Sequence, residues 1–196
     1  MSGTMAKPAL STILKKCGSE NSKELKIKAL REHKDNISLM ELFKFAFDPR
    51  IKFLLPQAKV DYKVTLLLDQ DERLYREVFK LVNLCVLEEN FTDLDGKGRK
   101  VITHGGPTKR DASSGEIVAS MSQLQRERIF IQTLESIYPS DAEMLMNVKN
   151  KQIGIRGITE NTVRLAFPGM IYGDIEFLSK NKMFIPDELR EANDNE

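Results

Sequence analysis

Apolar residues recur every three or four positions along most of this chain, a spacing that places them on one face of an α-helix. The first such stripe is formed by Leu10, Ile13, Leu14 and Cys17. The pattern predicts an all-α fold: a compact multi-helix domain over residues 8–172, followed by a C-terminal extension and acidic tail over residues 173–196. A chain of 196 residues that is 41% hydrophobic can bury a core of this kind.

Polar and glycine residues predict where the helices begin and end. Gly18 is expected to end the first helix. A capping box of Asn21 with Glu24 predicts the start of the second helix, and Ser38 is predicted to be the N-cap of the third. A second capping box at residues 140–143 predicts the start of a later helix. Further helices are predicted over residues 71–89, 117–138 and 162–167. Only in residues 57–68 does an extended conformation compete with helix.

Residues 90–116 interrupt the helical pattern with a polar, basic and glycine-dotted stretch. We expect a flexible loop insertion here, because a connection of this length is either functional or disordered. Its DLDG sequence, residues 93–96, is one position short of the Lys-x-Asp-Gly that nucleotide-transferring enzymes adenylate. Asp93 occupies the place of the nucleophilic lysine, and a carboxylate cannot form the phosphoramidate that AMP transfer needs. The spacing of a phosphate-binding P-loop is absent as well.

Catalysis, metal binding and membrane insertion have little support in the sequence. Cys17 and Cys85 lie in apolar patterns typical of reduced core residues, and there are only two histidines, so we expect no metal and no cofactor. No nucleophile-elbow or metalloprotease spacing occurs. We also expect a cytoplasmic protein without membrane contact, because no run approaches 18 apolar residues and the N-terminus lacks a signal-peptide core.

Three stretches follow one another in an informative order. They are ILKKCGSENSKELKIKALREHKDNISLMELF at residues 13–43, AFDPRIKFLLP at residues 46–56, and ITENTVRLAFPGMI at residues 158–171. They resemble the opening helix pair, the short aromatic segment and the closing helix of the N-terminal DNA-binding domain of T-even-type phage ATP-dependent DNA ligases. The resemblance spans roughly residues 10–90 and 117–171, and residues 90–116 stand out as an insertion.

The resemblance implies an all-α domain that packs across duplex DNA, mainly through backbone contacts in the minor groove. The catalytic motifs of the ligases do not follow in this chain. We therefore expect a non-catalytic, largely sequence-independent DNA-binding protein of phage type, accessory to replication, repair or packaging in the infected cell. Its expected partner is duplex DNA, either intact, nicked or with a free end.

Three groups of residues are candidates for DNA contact, and each has a purely structural alternative. The bases of the insertion can neutralise phosphates or belong to a solvated loop; they are Lys97, Arg99, Lys100, Lys109 and Arg110. The corner before the last core helix can present N–H groups to a phosphate, or its glycines can relieve crowding between helices; this group comprises Lys151, Arg156, Gly157 and Thr159.

The third group is the basic N-terminal region, which has eight Lys or Arg residues against three Glu between residues 7 and 34. A charged run of this type faces either DNA or solvent. With the aromatic segment that follows, the group comprises Lys23, Lys26, Lys34, Asn36, Arg50 and Lys52, and the same run contains Lys15, Lys16 and Lys28.

Two other functions remain open. The chain can be a protein-interaction or virion-associated module that keeps the fold without the DNA surface, with a phage or host protein as its partner. The acidic tail and the net charge of only +1 leave room for this function. Alternatively, the chain can supply a separate DNA-binding subunit to a catalytic partner.

Overall fold

The computed structural model describes residues 7–64, 70–92 and 98–180. Its helices are Leu10–Gly18 (α1), Lys23–Arg31 (α2), Ile37–Phe47 (α3), Leu74–Glu77 (α4), Gln123–Ser136 (α5), Pro139–Lys149 (α6), Glu160–Ala166 (α7) and Asp174–Lys180 (α8), and a 3-10 helix over Val78–Leu84 continues α4. Its strands are Ile51–Phe53 (β1), Cys85–Thr92 (β2), Gly98–His104 (β3), Thr108–Arg110 (β4) and Ile117–Ala119 (β5). None of these described helices combines the length and the apolar character that crossing a bilayer requires.

The fold is mixed α/β, and the all-α prediction is wrong. In the described residues β1, β2 and β3 form an antiparallel sheet in that order, and β4 and β5 form a second antiparallel pair. The helix predicted over residues 71–89 ends at Leu84, and β2 begins at Cys85. Its register aligns Ile51 with Leu87 on one side and Val86 with His104 on the other. β2 is a strand because it pairs with β1 and β3, which are separate segments of the chain. The spacing of apolar residues within residues 71–89 cannot predict such pairing.

Strands also occupy part of the predicted loop insertion. β3 and β4 lie inside residues 90–116, and β3 includes the β-branched run at residues 101–103, which favours a strand. The helix predicted over residues 117–138 is shorter, because β5 pairs with β4. α5 begins instead after Ser122, which forms a capping box with Gln125. Residues 93–96, with the DLDG sequence, and the acidic end of the chain lie outside the described residues.

The predicted end of α1 at Gly18 is confirmed, but two predicted N-caps are displaced. Ser22, not Asn21, caps α2 by accepting a hydrogen bond from the Leu25 N–H at 3.2 Å. Asn36, not Ser38, caps α3. Ser38 points elsewhere and donates its hydroxyl to the Tyr75 carbonyl. Caps shift by one or two residues because several neighbouring polar side chains can serve, and the helix packing selects among them.

Asp141 does not cap α6, although it lies in the capping box predicted at residues 140–143. It is fully buried against α1 and accepts the Ser11 N–H at 2.7 Å. No neighbouring side chain caps the start of α1. The Asp141 carboxylate of α6 instead accepts a hydrogen bond from one of the N–H groups that the first turn of α1 leaves free. Burial raises the pKa of the Asp141 carboxyl.

The core lies where α1, α3 and α6 meet, with Leu14, Phe43 and Leu145 among its fully buried side chains. Phe43 also packs against the ring of Phe167, just after α7, with the ring centroids 5.9 Å apart. The N-terminal and C-terminal helices of the described chain therefore share one core.

Two lysines at the end of α6 fasten the chain that follows α3. The Lys151 ammonium donates to the carbonyl oxygens of Phe45 (2.8 Å), Asp48 (2.7 Å) and Ile51 (3.1 Å). These three bonds use all three of its donors. Lys149, which is 5% exposed, donates to the carbonyls of residues 56 and 58. α6 thus fixes the course of residues 45–58.

A third buried cation holds α8 on α7. Arg164 is 2% exposed and forms ion pairs with Glu160 at 2.9 Å and with the buried Asp174 at the start of α8. Its guanidinium also lies 4.5 Å from the centroid of the Phe177 ring. Asp174 in turn accepts the Gly169 N–H at 2.8 Å. A buried charge needs such a complete set of partners.

Lys151 generates a pH prediction. Burial lowers the pKa of its ammonium from 10.5 to about 8, although Asp48 opposes the shift. Between these two pH values the unfolded chain binds more protons at this site, so its contribution to the free energy of unfolding rises with pH. Urea unfolding at about pH 7.5 and about pH 9.5 is expected to show a smaller pH-dependent gain in Lys151→Met than in the wild type.

The same variant is expected to lose about 1–3 kcal/mol of stability at about pH 7.5, because the carbonyls keep their burial and lose their donor. Comparing the two proteins removes the contribution of Cys17, whose pKa is raised by burial in both. An identical pH dependence in wild type and variant would contradict the prediction.

Candidate nucleic-acid interface

The end of α1 and the corner at residues 154–157 meet in backbone contact. A Cβ added to Gly18 would collide with the Arg156 carbonyl oxygen. Gly157 has φ +85°, and a Cβ there would lie 2.5 Å from the Gly18 carbonyl oxygen and 2.7 Å from Cε of Lys26. Gly18 and Gly157 therefore allow the end of α1 and the corner to pack closely. For the corner, this is the structural role given above as the alternative to phosphate binding. This packing also brings the corner and the basic N-terminal region together.

A groove of about 630 Å³ lies at this meeting point. Three cationic side chains line it, Lys15 from α1, Lys26 from α2 and Arg156 from the corner, and Glu20 is the acid among the lining residues. The rest of the wall is formed by the small or polar residues Gly18, Ser19, Asn21 and Gly154 and by one apolar residue, Ile155. A concave surface with three cations and one anion concentrates positive potential, which attracts anions.

A smaller depression of about 230 Å³ lies between α1 and α2 and is balanced in charge. Lys16 and Lys28 line it, together with Glu20 and Glu32. Lys23, the first residue of α2, is exposed as well. Of the N-terminal cations, Lys15 and Lys26 therefore lie in one groove with Arg156, whereas Lys16 and Lys28 share their depression with two acids.

Two predicted contact residues use their charges inside the fold. Arg50 forms ion pairs with Asp48 at 2.8 Å and Glu89 at 3.2 Å, and its guanidinium lies 4.1 Å from the centroid of the Tyr172 ring. Burial alone would raise the pKa of Asp48, but the hydrogen bonds from Arg50 outweigh it and lower this pKa. Lys151 binds three carbonyls, as described above. Neither cation lines the groove.

Two other predicted residues serve as helix caps. Thr159 caps α7 through its hydroxyl, which accepts the Thr162 N–H at 3.3 Å, and Asn36 caps α3. Thr159 thus satisfies one of the free N–H groups at the start of α7, the helix end predicted to bind a phosphate. Lys34 is exposed in the turn between α2 and α3.

The remaining predicted bases that the structure describes lie on strands and do not line the groove. Lys100 pairs with Glu88 across the β2–β3 ladder at 3.0 Å, and Arg110 donates to the Gly115 carbonyl at 2.7 Å. Lys52, Arg99 and Lys109 are exposed on β1, β3 and β4. Lys97 lies outside the described residues.

The groove also contains residues that the sequence did not select as contacts. In the sequence, Gly18 indicates only the end of α1, and Lys15 is only one member of a charged run. No local signal relates Gly18 to Gly157, because their contact is made through the folding of distant segments. In the described ranges no group of three or more His, Cys, Asp and Glu side chains is placed to hold a metal ion.

Comparison of the chain with models of protein families, with curated proteins and with solved structures finds no match. The resemblance to the ligase domain therefore stays a prediction from the sequence.

The contact between Gly18 and Gly157 generates a stability prediction. Gly157→Ala is expected to destabilise the protein, because the new methyl group meets the Gly18 carbonyl in a backbone conformation that disfavours alanine. Gly115→Ala is the matched control, since Gly115 has φ +73° but no atom within 4 Å of its added Cβ. The control is expected to lose about 1 kcal/mol from backbone strain.

Gly157→Ala should lose about 1–3 kcal/mol more than the control, the usual cost of overpacking. Thermal unfolding of both variants measures this difference. Equal losses would mean that the α1–corner contact does not constrain residue 157.

Proposed function

We propose that this protein is a non-catalytic, largely sequence-independent DNA-binding protein whose groove between α1, α2 and the corner contacts the phosphate backbone of duplex DNA. One observation carries the proposal: the fold joins two basic groups that are far apart in the sequence in a single groove with Lys15, Lys26 and Arg156 on its walls. Lysine and arginine contacts to phosphates supply affinity without reading the base sequence.

The hydrogen bonds and ion pairs of each cation support the groove as the DNA-binding surface. Lys15, Lys26 and Arg156 form no ion pair with a described residue, although Lys15 donates to the Ser140 hydroxyl at 2.8 Å. By contrast, Arg50, Lys151 and Arg164 are bound by close partners in the fold, and of these three Arg164 is buried. Exposed cations can exchange water and counterions for phosphates at low cost, whereas a buried ion pair cannot be opened without loss of stability.

The resemblance to the ligase domain supports the same region. It covers α1, α2 and α3 and the stretch at residues 158–171, and the groove forms where the first two of these helices meet the chain just before that stretch. β3 and β4 fall in the insertion, whereas β1, most of β2 and β5 lie inside the span of the resemblance, whose implied all-α fold does not account for them. Action as an accessory factor in replication, repair or packaging of phage DNA belongs to this proposal.

Fluorescence anisotropy with a labelled duplex over a salt series tests the proposal. The double variant Lys26→Gln with Arg156→Gln is expected to bind more weakly, with a log–log salt slope about 2 units shallower, because about one counterion is released for each lost phosphate contact. The charge-matched control is Arg76→Gln with Arg128→Gln, two exposed arginines that do not line the groove. The control should keep the wild-type slope.

The outcomes separate the candidate functions. Absence of duplex binding by the wild type at low salt would overturn the proposal and favour a protein-interaction or virion-associated role. Tighter binding to a nicked duplex than to an intact one would favour a ligase-like role beside a catalytic partner.

A further inference from the structure

A second depression of about 560 Å³ lies beside α6, next to the basic groove. It is lined by the apolar or aromatic residues Tyr62, Val64, Pro139 and Met146, by the polar residues Ser140, Asn147 and Asn150, and by one cation and one anion, Lys59 and Glu143. We call it the Tyr62 pocket. Its volume suits a group of the size of a nucleoside.

The Tyr62 pocket and the groove share a wall. Ser140 lines the pocket and accepts a hydrogen bond from Lys15, which lines the groove. Asn147 lines the pocket, and its side chain packs against Gly154, which lines the groove. A ligand with an anionic part and a flat polar part can therefore occupy both sites at once.

The chemistry of the pocket matches a nucleobase. A tyrosine ring and a methionine thioether offer flat, polarisable contact for the face of a base. The amides of Asn147 and Asn150 and the carboxylate of Glu143 offer donors and acceptors for its edge. Lys59 and Glu143 balance each other in the lining of the pocket, whereas three cations face one acid in the groove, so the phosphate belongs in the groove beside Lys15 and Arg156.

The chain that carries Tyr62 is held in place although it lacks regular secondary structure. Lys149 anchors the carbonyls of residues 56 and 58, and the Lys63 N–H donates to Glu135 at 3.1 Å. Tyr62 itself packs partly against the core. Burial, with Glu143 nearby, raises the pKa of the Tyr62 hydroxyl, so this group stays protonated and can donate a hydrogen bond.

We propose that the Tyr62 pocket receives one unpaired nucleobase of a DNA strand whose phosphate backbone lies in the groove of Lys15, Lys26 and Arg156. This inference rests on the proposed function and makes it more specific: the protein selects duplexes that contain an unpaired nucleotide. The energy of stacking the base on Tyr62 is gained only where no base pair has to be opened first.

The test compares a fully paired duplex with the same duplex carrying a single-nucleotide bulge, by anisotropy at fixed salt. The wild type is expected to bind the bulged duplex about tenfold more tightly, the scale of one base stacked on an aromatic ring. Tyr62→Ala should lose this preference and keep the affinity for the paired duplex, whereas Tyr62→Phe should retain most of it. Phe79→Ala, which removes an aromatic ring of 45% exposure outside both sites, is the control and should bind like the wild type.

Asn150→Ala is the second variant, because Asn150 is exposed and its loss removes a polar contact without disturbing the core. It should lower the preference for the bulge in the same direction as Tyr62→Ala. Equal affinity of the wild type for both duplexes would overturn the pocket proposal and leave the proposed backbone binding intact.

A titration with deoxyadenosine monophosphate, followed by ¹H–¹⁵N NMR, examines the pocket without any duplex. Chemical-shift changes at the side-chain amides of Asn147 and Asn150 and at the Gly154 N–H are expected. Their absence would overturn the inference even if duplex binding is strong. Their presence without duplex binding would retain a nucleotide site in the pocket and overturn both the proposed duplex binding and the selection of duplexes with an unpaired nucleotide.

Discussion

The ammonium of Lys151, bonded to three backbone carbonyls, is the constraint on which the described structure depends most. Lys151 has φ +63°, at the position after a helix end where glycine is usual, and the N–H groups of residues 151 and 152 close back onto α6. A lysine in this conformation carries a cost that its three hydrogen bonds offset. They bind α6 to the end of α3 and to β1, and they set the direction in which the chain leaves towards the corner at residues 154–157.

Polar side chains of α6 and of the residues just after it contact three other segments of the fold. Asp141 satisfies the start of α1, Lys149 holds residues 56 and 58, and Lys151 holds residues 45–51. The two proposed binding sites lie along the segments positioned in this way: the basic groove beside the corner, and the Tyr62 pocket beside α6 itself. Rigid support of this kind is what a binding surface made from loops and helix ends requires.

The cations of this protein have two different roles, which depend on what surrounds each side chain in the fold. In the sequence these two kinds of cation cannot be told apart. Arg50, Lys151 and Arg164 have close partners and hold elements together, and Lys26 and Arg156 line an open groove. The third group of candidates therefore divides, since Arg50 belongs to the structure and Lys26 to the proposed interface. A list of basic residues cannot make this distinction, because it depends on what lies opposite each side chain after folding.

The sequence by itself determined the elements whose signals are local. The stripe of α1 is buried as its spacing predicts, α1 ends at Gly18, and helices form over the predicted N-terminal segments. Only the tertiary structure decided that Cys85–Thr92 is a strand, that Asp141 caps a distant helix, and that Gly18 and Gly157 share one contact. The reason is physical: helix periodicity and glycine breaks act within a few residues, whereas strand pairing, buried ion pairs and the shape of a groove arise between residues that only folding brings together.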